Sequence, residues 1–193
     1  MLVHQAAEAE KLFSGKEYTL DQLKTVYHKL YKLQSNLILI GMPGSGKSTV
    51  ARLIAEKTGR TLIDTDQLIE QKAGCTIPEL FDRIGEQGFR ALEKQAMLEA
   101  CSASFAVIAT GGGAVLDSDN RILMRENGFI CRLEREMTQL DTSARPLSTD
   151  MDALKKLATE REPIYAALAD FTVHNVTPEK TAEHIGGIQC EFC

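Results

Sequence analysis

The sequence predicts an α/β protein: a three-layer α/β/α sandwich with helices on both faces of a central parallel sheet. Three observations carry this expectation. Leu37-Ile38-Leu39-Ile40 is a continuous apolar run without alternation, the pattern of a strand buried on both faces. Shorter apolar runs follow at Thr61–Ile63, Phe105–Ala109, Phe129–Cys131 and Phe171–Val173. Helical patterns lie between them, and strands alternating with helices read as βαβ units.

Residues 1–36 precede the first predicted strand. Thr19-Leu20-Asp21-Gln22 has the form of a capping box, with Thr at the N-cap and Gln three residues on. Leu20, Leu23, Val26, Tyr27, Leu30 and Tyr31 then recur at helical spacing, which predicts one amphipathic helix running toward Leu33. A single helix with one apolar stripe usually finds its own core, so packing on its own domain is favoured over a partner or dimer helix. The strand 37–40 ends in a glycine-rich loop. A helix is predicted from Ser48 to Lys57, with Val50, Leu53 and Ile54 on one face. After the strand 61–63 a short helical segment spans Gln67–Lys72, and a further helix is predicted from Phe89 to Cys101 around Leu92, Ala96 and Met97. The expected organisation is a helical extension over 1–36, one domain over 37–187, and a flexible tail over 188–193.

Composition narrows the classes. The chain has 193 residues, 44% of them hydrophobic and 25% charged. At this length a chain buries roughly 70% of its extended surface and needs no staples, and disordered or collagen-like classes are excluded. Lys and Arg number 22 and Asp and Glu 27, so the net charge is 22 − 27 = −5. Nucleic-acid binding is therefore not expected. No apolar run reaches membrane-span length, and the N-terminus has no basic stretch followed by an apolar one, so neither a membrane anchor nor a signal peptide is read. A cytoplasmic protein, most simply a monomer, is expected, with the N-terminal helix as a candidate interaction surface. Five cysteines at wide spacing do not form a disulfide framework. Cys75, Cys101 and Cys131 are expected reduced, and Cys190-x-x-Cys193 is read as a solvated terminus.

Gly41-Met42-Pro43-Gly44-Ser45-Gly46-Lys47-Ser48 satisfies the phosphate-loop pattern GxxxxGK[ST] and sits between a predicted strand and a helix. Glycines let backbone N–H groups turn inward, and the helix that follows presents its positive end to phosphate. Lys47 is placed to reach the β- and γ-phosphates, and the Ser48 hydroxyl to ligate Mg²⁺. The expected nucleotide set is Gly44, Ser45, Gly46, Lys47, Ser48 and Thr49, with ATP as the nucleotide. The length after the loop suits a small-molecule kinase better than a motor, and no guanine-reading NKxD segment is present.

Asp64-Thr65-Asp66 ends the second strand. Strand alternation would put both carboxylates on one side, at the sheet edge where ligands bind. One would serve the magnesium shell and the other the attacking hydroxyl. The plainer alternative is that Asp66 caps the next helix. Arg90 and Glu93 are spaced to face each other on one helix, so that Glu93 could hold the Arg90 fork for a carboxylate, or form no more than a surface ion pair. Gly111-Gly112-Gly113 would permit close backbone approach to a ligand.

Taken in order, the phosphate loop, Asp-Thr-Asp, Phe81-x3-Gly85-Glu86-x2-Phe89-Arg90-x2-Glu93, Gly-Gly-Gly, Arg145-Pro146-Leu147 and Arg161-Glu162-Pro163-Ile164-Tyr165 resemble the motif series of shikimate kinase from about Leu37 to Ile185. The resemblance implies ATP and shikimate as substrates, with Mg²⁺. It implies that Lys47 and Ser48 hold phosphate and magnesium, Asp64 lies in the outer magnesium shell, and Asp66 grips the shikimate hydroxyls and acts as base. It gives Arg90 and Arg161 the substrate carboxylate, with the Gly112 backbone beside it. Arg145 becomes the lid arginine over the transferring phosphate, contacting nucleotide, and Phe81 and Phe89 the apolar wall. The stretch 134–144 is shorter than the family pattern, so no adenine contact is assigned. Two rivals are a kinase for another hydroxy-acid such as gluconate, and a nucleotide-binding regulatory module whose partner helix is 1–36.

Overall fold

The computed structural model describes residues 2–26, 35–136 and 151–191. Its core is a five-stranded, wholly parallel sheet of order β2-β3-β1-β4-β5. The strands are β1 (Asn36–Ile40), β2 (Thr61–Asp64), β3 (Ala106–Ala109), β4 (Gly128–Glu134) and β5 (Phe171–His174). All five apolar runs are strands. The third begins one residue later than expected, because Phe105 adopts a left-handed backbone (φ 56°) under the Arg60 guanidinium, 4.4 Å from its ring centre.

The helices are α1 (Leu2–Ser14), α2 (residues 20–26), α3 (Lys47–Thr58), α4 (Thr65–Ala73), α5 (Ile77–Ser102), α6 (Ser118–Asn127), α7 (Met151–Leu168) and α8 (Pro178–Glu191). Every β1 residue is buried. Leu37, Leu39, Val107, Cys131 and Leu133 face Val50 and Ile54 of α3 and Ile185 of α8. Ile38, Ile40, Ile108 and Ile130 face Met97 of α5, Met124 of α6 and Tyr165 of α7. Both faces of the sheet are thus apolar, which is why its strands read as unbroken apolar runs. A third cluster, Ile69, Leu80, Phe89 and Ala96, joins α4 to α5.

Two expectations about helices change. The helix expected over 89–101 is the second half of α5, which starts at a Thr76–Glu79 capping box and kinks at Gly85 (φ 68°, ψ 178°). The N-terminal segment also carries α1, which the apolar spacing did not reveal. The Thr19 capping box forms, Thr19 N–H donating to Gln22 Oε1 at 2.9 Å and Gln22 N–H to Thr19 Oγ1 at 3.3 Å. Leu20 and Val26 of the predicted stripe are nonetheless exposed, so this part of it does not bury against the domain. Tyr27, Leu30, Tyr31 and Leu33 lie outside the described residues. Cys101 and Cys131 are buried free thiols, pushed by burial to about 11 and about 12, and Cys75 is a half-buried free thiol. Among the described residues no helix is long and apolar enough to cross a membrane.

Candidate active site

The chain reverses direction across the sheet at β1, whose neighbours are β3 and β4. Ligands of parallel sheets bind beyond the C-terminal strand ends at such a point. There the loop 41–46 leaves β1 and α3 begins at Lys47. Lys47 is buried, and its ammonium donates to the carbonyls of Gly41 and Met42, each at 2.9 Å. These bonds hold the side chain back along the loop.

A cavity of about 260 Å³ opens beside the loop. Pro43 and Ser48 form one wall, and Asp64 and Asp66 the next. Strand alternation does not place the two acids, because β2 stops at Asp64. Asp64 is itself the N-cap of α4, its Oδ1 accepting from the N–H of Asp66 at 3.0 Å and of Gln67 at 3.2 Å. The cap is therefore Asp64 and not Asp66, which stands in the first helical turn. Both still line the cavity.

The far wall comes from α5. Phe81 and Phe89 stack with ring centres 4.6 Å apart across the Gly85 kink. Arg90 Nη1 donates to Glu93 Oε2 at 2.7 Å, and Nη2 to Glu86 Oε1 at 3.0 Å. The pair is not a surface ion pair: Glu93 is 2% exposed. Burial pushes the Glu93 carboxyl above its ordinary value and Arg90 pulls it back, with Asp66 and Arg161 acting in opposite directions behind them.

The floor is Gly111-Gly112-Gly113. Gly111 N–H donates to Thr65 Oγ1 at 3.0 Å. A Cβ on Gly111 would lie 2.7 Å from Asp66 Oδ1 and 2.8 Å from Glu93 Oε1, so only glycine lets the backbone pass between these acids. Arg161 enters from α7 and is 3% exposed, and its Nε is buried without a hydrogen-bond partner. Tyr165, one turn on, donates its hydroxyl to the Gly112 carbonyl at 2.5 Å. Burial raises the Tyr165 hydroxyl to about 12, against a smaller opposing effect of Arg161. Arg132 of β4 pairs with Glu134 at 2.5 Å and with Glu162, the neighbour of Arg161, which ties α7 to the sheet.

One cavity thus gathers Ser48, Asp64, Asp66, Phe81, Phe89, Arg90, Gly112 and Arg161. Gly44, Ser45, Gly46, Lys47 and Thr49 belong to the adjoining loop and first turn of α3. Arg145 lies outside the described residues. Sequence reasoning had assigned no role to Thr65 or Tyr165, although Tyr165 belongs to a quoted motif and Thr65 sits between the two acids. The hydroxyl of Ser48 and the carboxylates of Asp64 and Asp66 are hard oxygen donors on adjoining walls. That set fits Mg²⁺, which takes one or two protein ligands and completes its shell with phosphate and water.

Residues 43–186 match the family model described as shikimate kinase. The shikimate kinase of Hahella chejuensis is 41% identical over 150 residues, 74% of this chain and 78% of its own. That of Synechococcus sp. (strain CC9605) is 39% identical over 184 residues, 90% of each chain. Among solved structures, shikimate kinase from Acinetobacter baumannii in complex with shikimate aligns with a TM-score of 0.79 at 32% identity, covering 85% of this chain and 97% of that one. A gluconokinase from Sinorhizobium meliloti, 12% identical with a TM-score of 0.50, shares the fold alone.

Proposed function

The chain belongs to the shikimate kinase family, and we propose a division of labour among the residues of its cavity. It is an ATP-dependent kinase that phosphorylates shikimate, giving ADP and shikimate 3-phosphate, a step of chorismate and aromatic amino-acid biosynthesis. One observation supports the residue roles above the rest. A phosphate-loop hydroxyl, two carboxylates and two arginines from separate segments of the chain meet around a single small cavity.

Phosphoryl transfer leaves a protein little covalent work, so rate comes from positioning and from charge placed where charge develops. The loop N–H groups of Gly44 to Thr49 and the Lys47 ammonium cradle the triphosphate. Lys47 does so by exchanging its two carbonyl partners for phosphate oxygens. Ser48 and Asp64 would hold Mg²⁺, directly and through water, and Mg²⁺ when bound neutralises charge on the β- and γ-phosphates. Arg90 and Arg161 take the shikimate carboxylate as forks. Glu93 holds Arg90 in its rotamer, and Tyr165, one turn from Arg161 on α7, holds the Gly112 carbonyl, leaving the Gly112 backbone beside the ligand. Phe81 and Phe89 cover the apolar face of the ring. Asp66 accepts a hydrogen bond from the attacking hydroxyl and takes its proton as the new O–P bond forms. Arg145 closes over the transferring phosphoryl group and keeps water out. We further propose a cytoplasmic monomer with a catalytic domain over 37–187 and an accessory extension over 1–36.

The test is a coupled ADP-release assay with and without shikimate, run beside gluconate and other hydroxy-acids. Release should require shikimate, and a chain beginning near Gln34 should retain it. Strong gluconate turnover without shikimate turnover would sink the substrate assignment. ATP binding with no shikimate-dependent release would favour a regulatory module.

A further inference from the structure

Asn175 follows directly on β5, at the sheet edge opposite β2 in strand order. It is 3% exposed and held on three sides. Its backbone N–H donates to the Glu134 carbonyl at 2.7 Å, extending the β4–β5 pairing by one residue. Its Oδ1 accepts from Thr181 Oγ1 at 3.1 Å, and Thr181, in the first turn of α8, is equally buried. Its Nδ2 donates to the backbone carbonyl of Ser45 at 2.7 Å.

Ser45 and Gly46 are the two residues before Lys47. Among the described residues, ties within the loop or to its own helix include Ser45 N–H to Met42, Val50 N–H to Gly46, and Lys47 to Gly41 and Met42. Asn175 contributes a tie from a strand 130 residues away in sequence. The contact is close. A Cβ on Gly46, whose φ is 92°, would collide with Asn175 Nδ2, so any larger residue at 46 would displace the amide. The Thr181 hydroxyl occupies the amide oxygen and so aims the NH₂ group at the loop.

We propose that Asn175 is a positioning residue for nucleotide binding: its side-chain amide, aimed by Thr181, fixes the Ser45–Gly46 peptide so that the loop N–H groups converge on the triphosphate. A carbonyl held from outside the loop cannot turn inward to meet phosphate oxygens, and the neighbouring N–H groups are left facing the ligand. The inference rests on the reading that residues 44–49 hold the triphosphate, and it involves no contact between Asn175 and either substrate.

The experiment compares the full chain with N175D, T181V and T181S. N175D keeps the shape of the side chain and replaces the donor with an oxygen facing the Ser45 carbonyl. T181V removes the hydroxyl that aims the amide, and T181S restores it. Magnesium with a non-hydrolysable ATP analogue is titrated by calorimetry, and KM is measured for ATP and for shikimate. N175D should weaken analogue binding and raise the ATP KM about tenfold or more, with the shikimate KM changed less than twofold. T181V should show a smaller shift in the same direction and T181S close to none. An unchanged analogue affinity in folded N175D, or equal rises in both KM values, would overturn the proposal. Should N175D not fold, T181V decides by the same criterion. The calorimetric titration reads the loop directly, so it decides this inference even if the acceptor-cavity assignments fail in the turnover assay.

Discussion

Arg90 and Glu93 lie one turn apart on α5, with the guanidinium donating to the carboxylate at 2.7 Å and Glu93 sealed from solvent. Burying a carboxylate costs free energy unless it is paired, so the pair persists only while Arg90 stays in the rotamer that faces the cavity. Glu93→Gln keeps the shape and removes the charge. It should raise the shikimate KM by about tenfold through loss of Arg90 orientation and leave the ATP KM near the parent value. Steady-state kinetics with each substrate varied in turn checks this, and an ATP effect of equal size would contradict it.

Arg161 is buried with its Nε unpartnered. Arg161→Lys keeps one positive charge and loses the planar fork. Shikimate binding measured by calorimetry should weaken more than tenfold, while ATP binding changes little. Tyr165→Phe leaves the buried Gly112 carbonyl without its donor. That should cost about 1–3 kcal/mol of stability, read by denaturant unfolding, and should raise the shikimate KM in parallel.

Asp66 lines the cavity, and Lys47 stands in the loop beside it. Asp66→Asn should cut kcat by about 10²–10⁴, the usual contribution of a positioned acid–base group. Lys47→Ala should lower turnover by orders of magnitude through lost charge at the phosphates. Both should keep the parent circular-dichroism spectrum. A kcat for Asp66→Asn within a few-fold of the parent would remove Asp66 from the role of base.

The start of α5 carries a pH dependence of stability. Glu79 accepts from the Thr76 N–H at 2.7 Å and from its hydroxyl at 2.8 Å. These bonds, the backbone one first, hold the Glu79 carboxyl below its ordinary value of 4.5. A carboxyl held low contributes stability that is full above its unfolded value and is lost as pH falls through the folded one. The melting-temperature gap between the parent and Glu79→Gln should therefore be largest near neutral pH and shrink toward zero in acid. Thr76→Ala, which removes the cap, should cost about 1 kcal/mol at neutral pH.

The strands and the phosphate loop were legible in the sequence because each is a local pattern. Leu37–Ile40 is apolar throughout because both faces of β1 are covered, and the glycines of 41–46 answer a local backbone need. The ordered motifs also contain Asp64, Asp66, Arg90, Gly112 and Arg161, which the fold brings to one cavity. Local pattern failed where an element ends. Asp64 closes β2 by capping α4, so Asp66 sits on a helix and not on a strand. It failed again at α5, where the kink at Gly85 let one helix carry both Phe81 and Phe89.

Sequence alone determined the residue types and their order: a triphosphate loop, two acids, two arginines and a glycine run. Tertiary structure decided what those residues are to one another. The burial of Glu93 turns an i,i+3 pair into a fixed fork, and the Tyr165 hydroxyl ties α7 to Gly112 across 53 residues. Asn175 meets Ser45 only because β1 and β5, parallel strands of one sheet, both end on its C-terminal side. Charge, size and backbone freedom are properties of single residues and their neighbours in sequence. Burial and long-range hydrogen bonds belong to pairs that only the folded chain brings within reach.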